Sequence, residues 1–177
     1  MNKFKKIIAL LLTFIMIGTT FVSAEFNDLE DNSYADEISF MYQIGVLNGY
    51  TDTMFSPEQQ FTRAEFLLAL MRLTKTINFA ESIEPAATED GVREDESVYY
   101  YTDVAPHYIA EYINSAYAYG IVDASDGPKF RPDDKITRPE AMKWMVRALG
   151  YGKVLPANSD SGVYTKMAND MDLLEGV

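Results

Sequence analysis

The sequence matches itself at a fixed offset of 75 residues, and this feature limits the possible folds more than any other. Without a gap, Asp28 pairs with Asp103, Ala35 with Ala110, Ile38 with Ile113 and Tyr42 with Tyr117. The register continues through Gly45/Gly120, Phe55/Phe130, Pro57/Pro132, Arg63/Arg138, Glu65/Glu140 and Arg72/Arg147. Apolar positions track it by class: Phe26 faces Tyr101, Leu29 faces Val104, Val46 faces Ile121 and Phe61 faces Ile136. Two copies of one unit follow, over about 26–73 and 101–148. A unit of about 48 residues buries little surface by itself, so the copies are expected to share a core.

Each copy reads as helix, loop, helix. The first helix is expected at about 34–44 and 109–119. Ala35, Ile38, Met41 and Tyr42 share one helical face in copy one, as do Ile109, Ile113, Ala116 and Tyr117 in copy two. Gly45 and Gly120 follow at left-handed C-terminal caps. A loop of about 16 residues comes next, pinned by Phe55 and Phe61 or by Phe130 and Ile136. The second helix is expected at 63–73 and 138–149. Phe66, Leu67, Leu70 and Leu73 point inward in one copy, and Met142, Met145, Val146 and Leu149 in the other. The fold class is all-α.

The chain divides into a leader (1–24), repeat one (25–75), an acidic connector (76–98), repeat two (99–150) and the start of a third repeat (151–177). The leader is read from basic "MNKFKK", an apolar run and the small residues of "VSA", the three-part form of a cleaved secretory signal peptide. The connector is acidic and broken by Pro85 and Gly91, as a solvated segment would be. In 164–177, "YTKMANDMDLLEGV" has the pattern of another first helix. It stops before a third loop, so either the chain is part of a longer protein or its last repeat is incomplete.

Composition removes several functions. Net charge is −12, and the only charges before Glu25 are Lys3, Lys5 and Lys6, leaving −15 on the remainder. Nucleic acid is therefore not an expected partner. Absence of cysteine excludes disulfides and thiol chemistry, and the single histidine, His107, leaves little for a metal site or a triad. No metal or other cofactor is expected. Asp123–Asp134 hints at a calcium loop, but Pro128 occupies the glycine position and the final glutamate is missing. No catalytic set is found, so the expectation is a non-enzyme. Trp144 and Tyr101 are expected in the core, and His107 as a turn residue.

One element remains unexplained by folding. "FTRAEF" and "ITRPEA" both place Thr and Glu at capping-box spacing, so Thr62 with Glu65 and Thr137 with Glu140 are structural caps. Capping does not require Arg63 or Arg138, whose charge opposes the positive end of the helix dipole. Beside free helix N–H groups, such a guanidinium suits a carboxylate or phosphate; the alternative is an ion pair with a nearby acid.

Together these residues resemble the S-layer homology repeat of bacterial cell-surface proteins. Copy one reads "FNDL", "YA", "GVLNGY", "MFSP" and "FTRAEF"; copy two reads "YTDV", "IA", "GIVDAS", "KFRP" and "ITRPEA". The resemblance implies a pseudo-threefold bundle with a central group of first helices and grooves between repeats. It implies export to the cell wall or S-layer of a Gram-positive-type bacterium, and non-covalent binding of a secondary cell-wall polysaccharide, often pyruvylated and so anionic. Other S-layer proteins are a second implied partner, and no membrane is implied once the leader is cut. The family's motif arginine maps onto Arg63 and Arg138, with Gly49, Tyr50 and Tyr34 as further ligand-binding positions. Copy two departs at Ala124 and Ser125 (for Gly49 and Tyr50), at Ile109 with Tyr108 beside it, and at Pro139, so the first groove is expected to be the more competent. Two alternatives stand beside anchoring: lattice assembly without glycan, and the anchor portion of a longer wall-active enzyme.

Overall fold

The computed structural model describes residues 26–76, 99–123, 127–155 and 159–173. The expected leader and nearly all of the connector lie outside the described residues. Among these residues there are five α-helices: α1 Ala35–Gln43, α2 Arg63–Leu73, α3 Ala110–Ala118, α4 Arg138–Ala148 and α5 Ser161–Asp170. A 3-10 turn at Tyr151–Lys153 joins α4 to α5. The described residues contain no β-strand beyond an isolated bridge between Thr62 and Lys135. None of these helices is long and apolar enough to cross a membrane.

The repeat seen in sequence recurs in backbone detail. Gly45 and Gly120 have φ of 75° and 73°, the left-handed conformation in which a side chain is strained. Val46 N–H then closes on Met41 O and Ile121 N–H on Ala116 O, both at 2.9 Å. Each loop is held at the same place by an aspartate. Asp28 accepts the Phe55 and Ser56 N–H groups at 2.9 and 2.6 Å. Asp103 accepts those of Phe130 and Arg131, both at 2.8 Å. Ser56 and Arg131 share a left-handed φ, 62° and 57°. Helix α5 leaves in the same way: Asp172 has φ 55°, and Leu173 N–H closes on Ala168 O at 3.0 Å. The same exit also closes α2, where Lys75 has φ 57° and Thr76 N–H meets Met71 O at 3.0 Å, so it is a shared way of ending helices in this chain.

Packing between copies is sequential. The second helix of each copy rests on the first helix of the next, α2 on α3 and α4 on α5, and α2 also meets α4. The main core joins Leu67, Leu70 and Met71 to Val104, Ile113, Ala116, Phe130 and Trp144. A smaller core holds Met142 and Val146 against Tyr164 and Ala168. Among the described residues α1 brings no Cα within 8 Å of another helix, and α3 and α5 approach second helices most closely. Among these residues α1 meets no second helix; it buries no residue fully and leaves Phe40 and Ile44 exposed.

Two inward expectations fail at helix ends. Leu73 and Leu149 are exposed. The buried stripe of α2 runs through Ala64, Leu67, Leu70 and Met71, which carries it on to Thr74 and turns Leu73 outward. Leu149 matches Thr74 in the register and is the C-cap residue just beyond α4, outside the helix whose face it was expected to continue. Phe61 also stays exposed and does not pin its loop. Trp144 and Tyr101 are in the core as expected. His107 accepts the Ile109 N–H through Nδ1 at 3.3 Å, the local role of a turn residue.

Candidate functional site

Both capping boxes form. Thr62 Oγ1 accepts the Glu65 N–H at 3.1 Å, and Glu65 Oε2 accepts the Thr62 N–H at 2.7 Å. In copy two Thr137 Oγ1 accepts the Glu140 N–H at 3.5 Å, and Glu140 Oε2 accepts the Thr137 N–H at 2.9 Å. Each cap contributes about 1 kcal/mol.

Arg63 does not sit at an open anion site. It is only 4% exposed and inserts into copy two. Its Nε donates to Phe130 O at 2.7 Å, and its terminal NH1 pairs with Glu140. The guanidinium lies 5.0 Å from the Phe130 ring centroid and 4.9 Å from that of Trp144, two rings that stack on each other. The neighbouring helix N–H groups are also occupied. Arg63 N–H donates to Asp134 O at 2.8 Å, and Ala64 N–H to Pro132 O at 3.0 Å. The start of α2 is thus plugged by the loop of copy two, and of the two options left by the sequence the geometry takes the ion pair. Glu140 serves both sides, because the carboxylate that caps α4 also meets Arg63 and, at 3.5 Å, Arg131. Burial opposes its ionisation. The two Thr137 hydrogen bonds and the two arginines outweigh that and hold its carboxyl below the usual glutamate range.

Arg138, its counterpart, is exposed at the start of α4, with no aromatic pair of a third loop against it among the described residues. Tyr34 is an exposed residue at the N-terminal end of α1. Neither lies at the groove that Gly49 and Tyr50 line, so the five expected ligand positions are not one constellation.

That groove has a volume of about 330 Å³, within the range of small-ligand sites. One wall is the loop from Val46 to Tyr50, and the opposite wall is α2 through Glu65, Leu68 and Arg72. Gln59, Gln60 and Phe61 also line it, as does Tyr108 from copy two. The groove therefore lies at a junction of repeats. Tyr50 is 69% exposed and Tyr108 73%, so two aromatic rings stand at its edge unburied. Gly49 is needed for packing: a Cβ there would come within 2.5 Å of both the Phe26 ring and Thr51 O. Its place beside the ligand space follows from that close approach, which lets the Tyr50 segment lie down on Phe26.

Sequence reasoning missed Arg72 and Tyr108 as members of one site. The repeat register offered a signal for Arg72, since the pair Arg72/Arg147 was visible. Tyr108 carries no signal at copy one's groove, because only the fold brings it there. Among the described residues no group of three or more His, Asp or Glu side chains is placed to hold a metal ion.

Residues 25–67 and 100–142 each match the S-layer homology domain. An exoglucanase XynX of Acetivibrio thermocellus is 32% identical over 139 residues, covering 78% of this chain and 11% of the relative. A cell surface protein of Thermoanaerobacter kivui is 26% identical over 158 residues, covering 85% and 19%. A cellulosome-anchoring protein of Acetivibrio thermocellus is 28% identical over 131 residues, covering 73% and 27%. The chain thus spans between 11% and 27% of the length of these three relatives. No solved structure matches it.

Proposed function

Since this chain belongs to the S-layer homology family through its two matched repeats, we propose that it anchors an exported protein to the bacterial cell wall by binding a wall polysaccharide non-covalently. Its place of action is the cell surface. The relatives include a cell surface protein, a cellulosome-anchoring protein and glycoside hydrolases named for different polysaccharides, and this chain covers only a small share of each. A short segment common to surface proteins and to hydrolases of different substrates fits an anchor better than a catalyst.

The observation that carries the reading is the repeat-junction groove with Tyr50 and Tyr108 exposed at its edge. Aromatic faces give sugar rings an apolar platform, while Asn48, Gln59 and Gln60 offer donors and acceptors to hydroxyl groups. The ligand is an acidic wall glycan, for which a pyruvyl ketal would supply the carboxylate. Tyr50 and Tyr108 hold the sugar, Gly49 sets the groove's shape, and Arg63 acts indirectly by locking copy two against copy one.

Co-sedimentation with purified Gram-positive sacculi tests this. The protein is expected in the pellet with sacculi and in the supernatant without them. Replacing Tyr50 and Tyr108 together by alanine should cut retention about tenfold or more. Wild-type retention by that double variant would contradict the site. The second reading, lattice assembly, is favoured by the exposed apolar face of α1 at Phe40 and Ile44. It predicts a pellet without sacculi.

A further inference from the structure

The two copies treat one arginine differently. Arg147, near the end of α4, donates from Nε to Gly120 O at 2.6 Å, and its NH1 pairs with Asp123. Lys143 adds a second bond to Asp123 at 3.1 Å. Copy two therefore supplies its own carboxylate to the space beside its second helix. In copy one the equivalent arginine is Arg72, and the register puts Asn48 where Asp123 stands and Leu68 where Lys143 stands. Asn48 carries no charge. Arg72 lines the groove half-buried, and its side chain makes no hydrogen bond or ion pair with any described residue. Glu65, the acid on the same wall, lies two helical turns away, about 10 Å along the axis, with its carboxylate on the Thr62 N–H.

We propose that Arg72 is the anion-recognition residue of the groove, and that Asn48 against Asp123 decides which copy binds. Copy two shows where the acid goes: its arginine is satisfied by a carboxylate from its own loop. Copy one lacks that acid, has Leu68 for Lys143 and shows no counterpart of the Arg147–Gly120 bond, so its guanidinium lines, unpaired among the described residues, a cavity that already has an aromatic edge. The vacancy is filled by one oxyanion group carried on a sugar, a carboxylate or a phosphate, reaching between Asn48 and Arg72 while the ring rests on the tyrosines. Arg63 cannot take this part, because its guanidinium is buried on Phe130, Trp144 and Glu140.

The inference rests on the wall-binding reading, and the test separates the two. Affinity for solubilised wall polysaccharide is measured for the wild type, Arg72→Gln and Asn48→Asp. The polymer is used native, with its carboxylates reduced to alcohols, and with its phosphates removed. Asn48→Asp gives copy one the acid that copy two already accommodates, so it tests charge within a tolerated fold; thermal unfolding of both variants should match the wild type. The wild type is expected to lose about 10- to 100-fold in affinity on whichever modified polymer lacks the recognised anion, the size of a charged hydrogen-bond pair. Both variants should bind native polymer that much more weakly and be indifferent to the modification. If the wild type binds native polymer and both variants bind as well as it does, the Arg72 inference is overturned and the anchoring reading survives. If the wild type binds no preparation, the anchoring reading falls and the inference with it.

Discussion

Arg63 shows how a motif residue's setting can depend on the neighbouring repeat. Its charge is unwelcome at a helix start when considered within one repeat. Across the repeat junction it meets Glu140, Phe130 O and two aromatic faces. Losing one partner of a buried pair costs about 3–5 kcal/mol and losing an exposed pair about 0–1 kcal/mol. Arg63 is buried, but Glu140 is partly exposed and would keep Thr137 and Arg131, so Arg63→Ala should lower the urea-unfolding free energy by an intermediate amount, about 2 kcal/mol, and any loss of wall binding should track the unfolded fraction. Glu140 adds a pH dependence. Its carboxyl is held below the ordinary range when folded, so the unfolded chain binds more protons in that range. Its contribution is fully present above the unfolded pKa and is lost as pH falls through the folded one. Asp28 acts in the same direction, chiefly through the Phe55 N–H, with burial opposing and the Ser56 N–H adding to it. Stability should drop as the buffer is taken below the usual carboxylate range, and Glu140→Gln should flatten part of that slope in urea melts at successive pH values.

At the scale of elements, the boundaries of the first helices were legible to within a residue, and α2 was placed at its observed limits, because caps and turns are local devices. Thr62, Glu65, Thr137, Glu140, Gly45 and Gly120 act within a few residues of themselves, so sequence spacing reveals them. What could not be read was the direction of faces at helix ends: Leu73 and Leu149 look inward by composition, and only packing geometry turns them out. The site was legible in part. Gly49 and Tyr50 do line a groove, whereas Arg63, Tyr34 and Arg138 lie elsewhere, since the repeat register aligns positions within a copy and is silent on which copy they face. Gly49→Ala tests the close approach. The added Cβ would sit 2.5 Å from the Phe26 ring and from Thr51 O, so copy one's loop must shift. A fall of about 1–3 kcal/mol in stability, the range of overpacked sites, is expected in thermal or urea melts, together with weakened wall retention.

For the whole molecule, the sequential order of packing gives function a place. Each second helix lies on the next first helix, and the start of α2 is sealed by copy two's loop through Arg63, Thr62 and Lys135. The same junction carries Tyr108 to copy one's groove. Two units of one pattern thus differ at one arginine: Arg72 lines an aromatic-edged cavity without a side-chain partner among the described residues, and Arg147 pairs with Asp123. The chain is on this account an anchor with one competent groove among its described residues. The most direct measurement is backbone and tyrosine-ring NMR of the chain titrated with solubilised wall polysaccharide. The account predicts saturable shifts confined to Asn48–Tyr50, the end of α2 at Arg72, and Tyr108. Shifts centred on Arg138 and the Arg147–Asp123 pair, or no saturable shift at all, would contradict it.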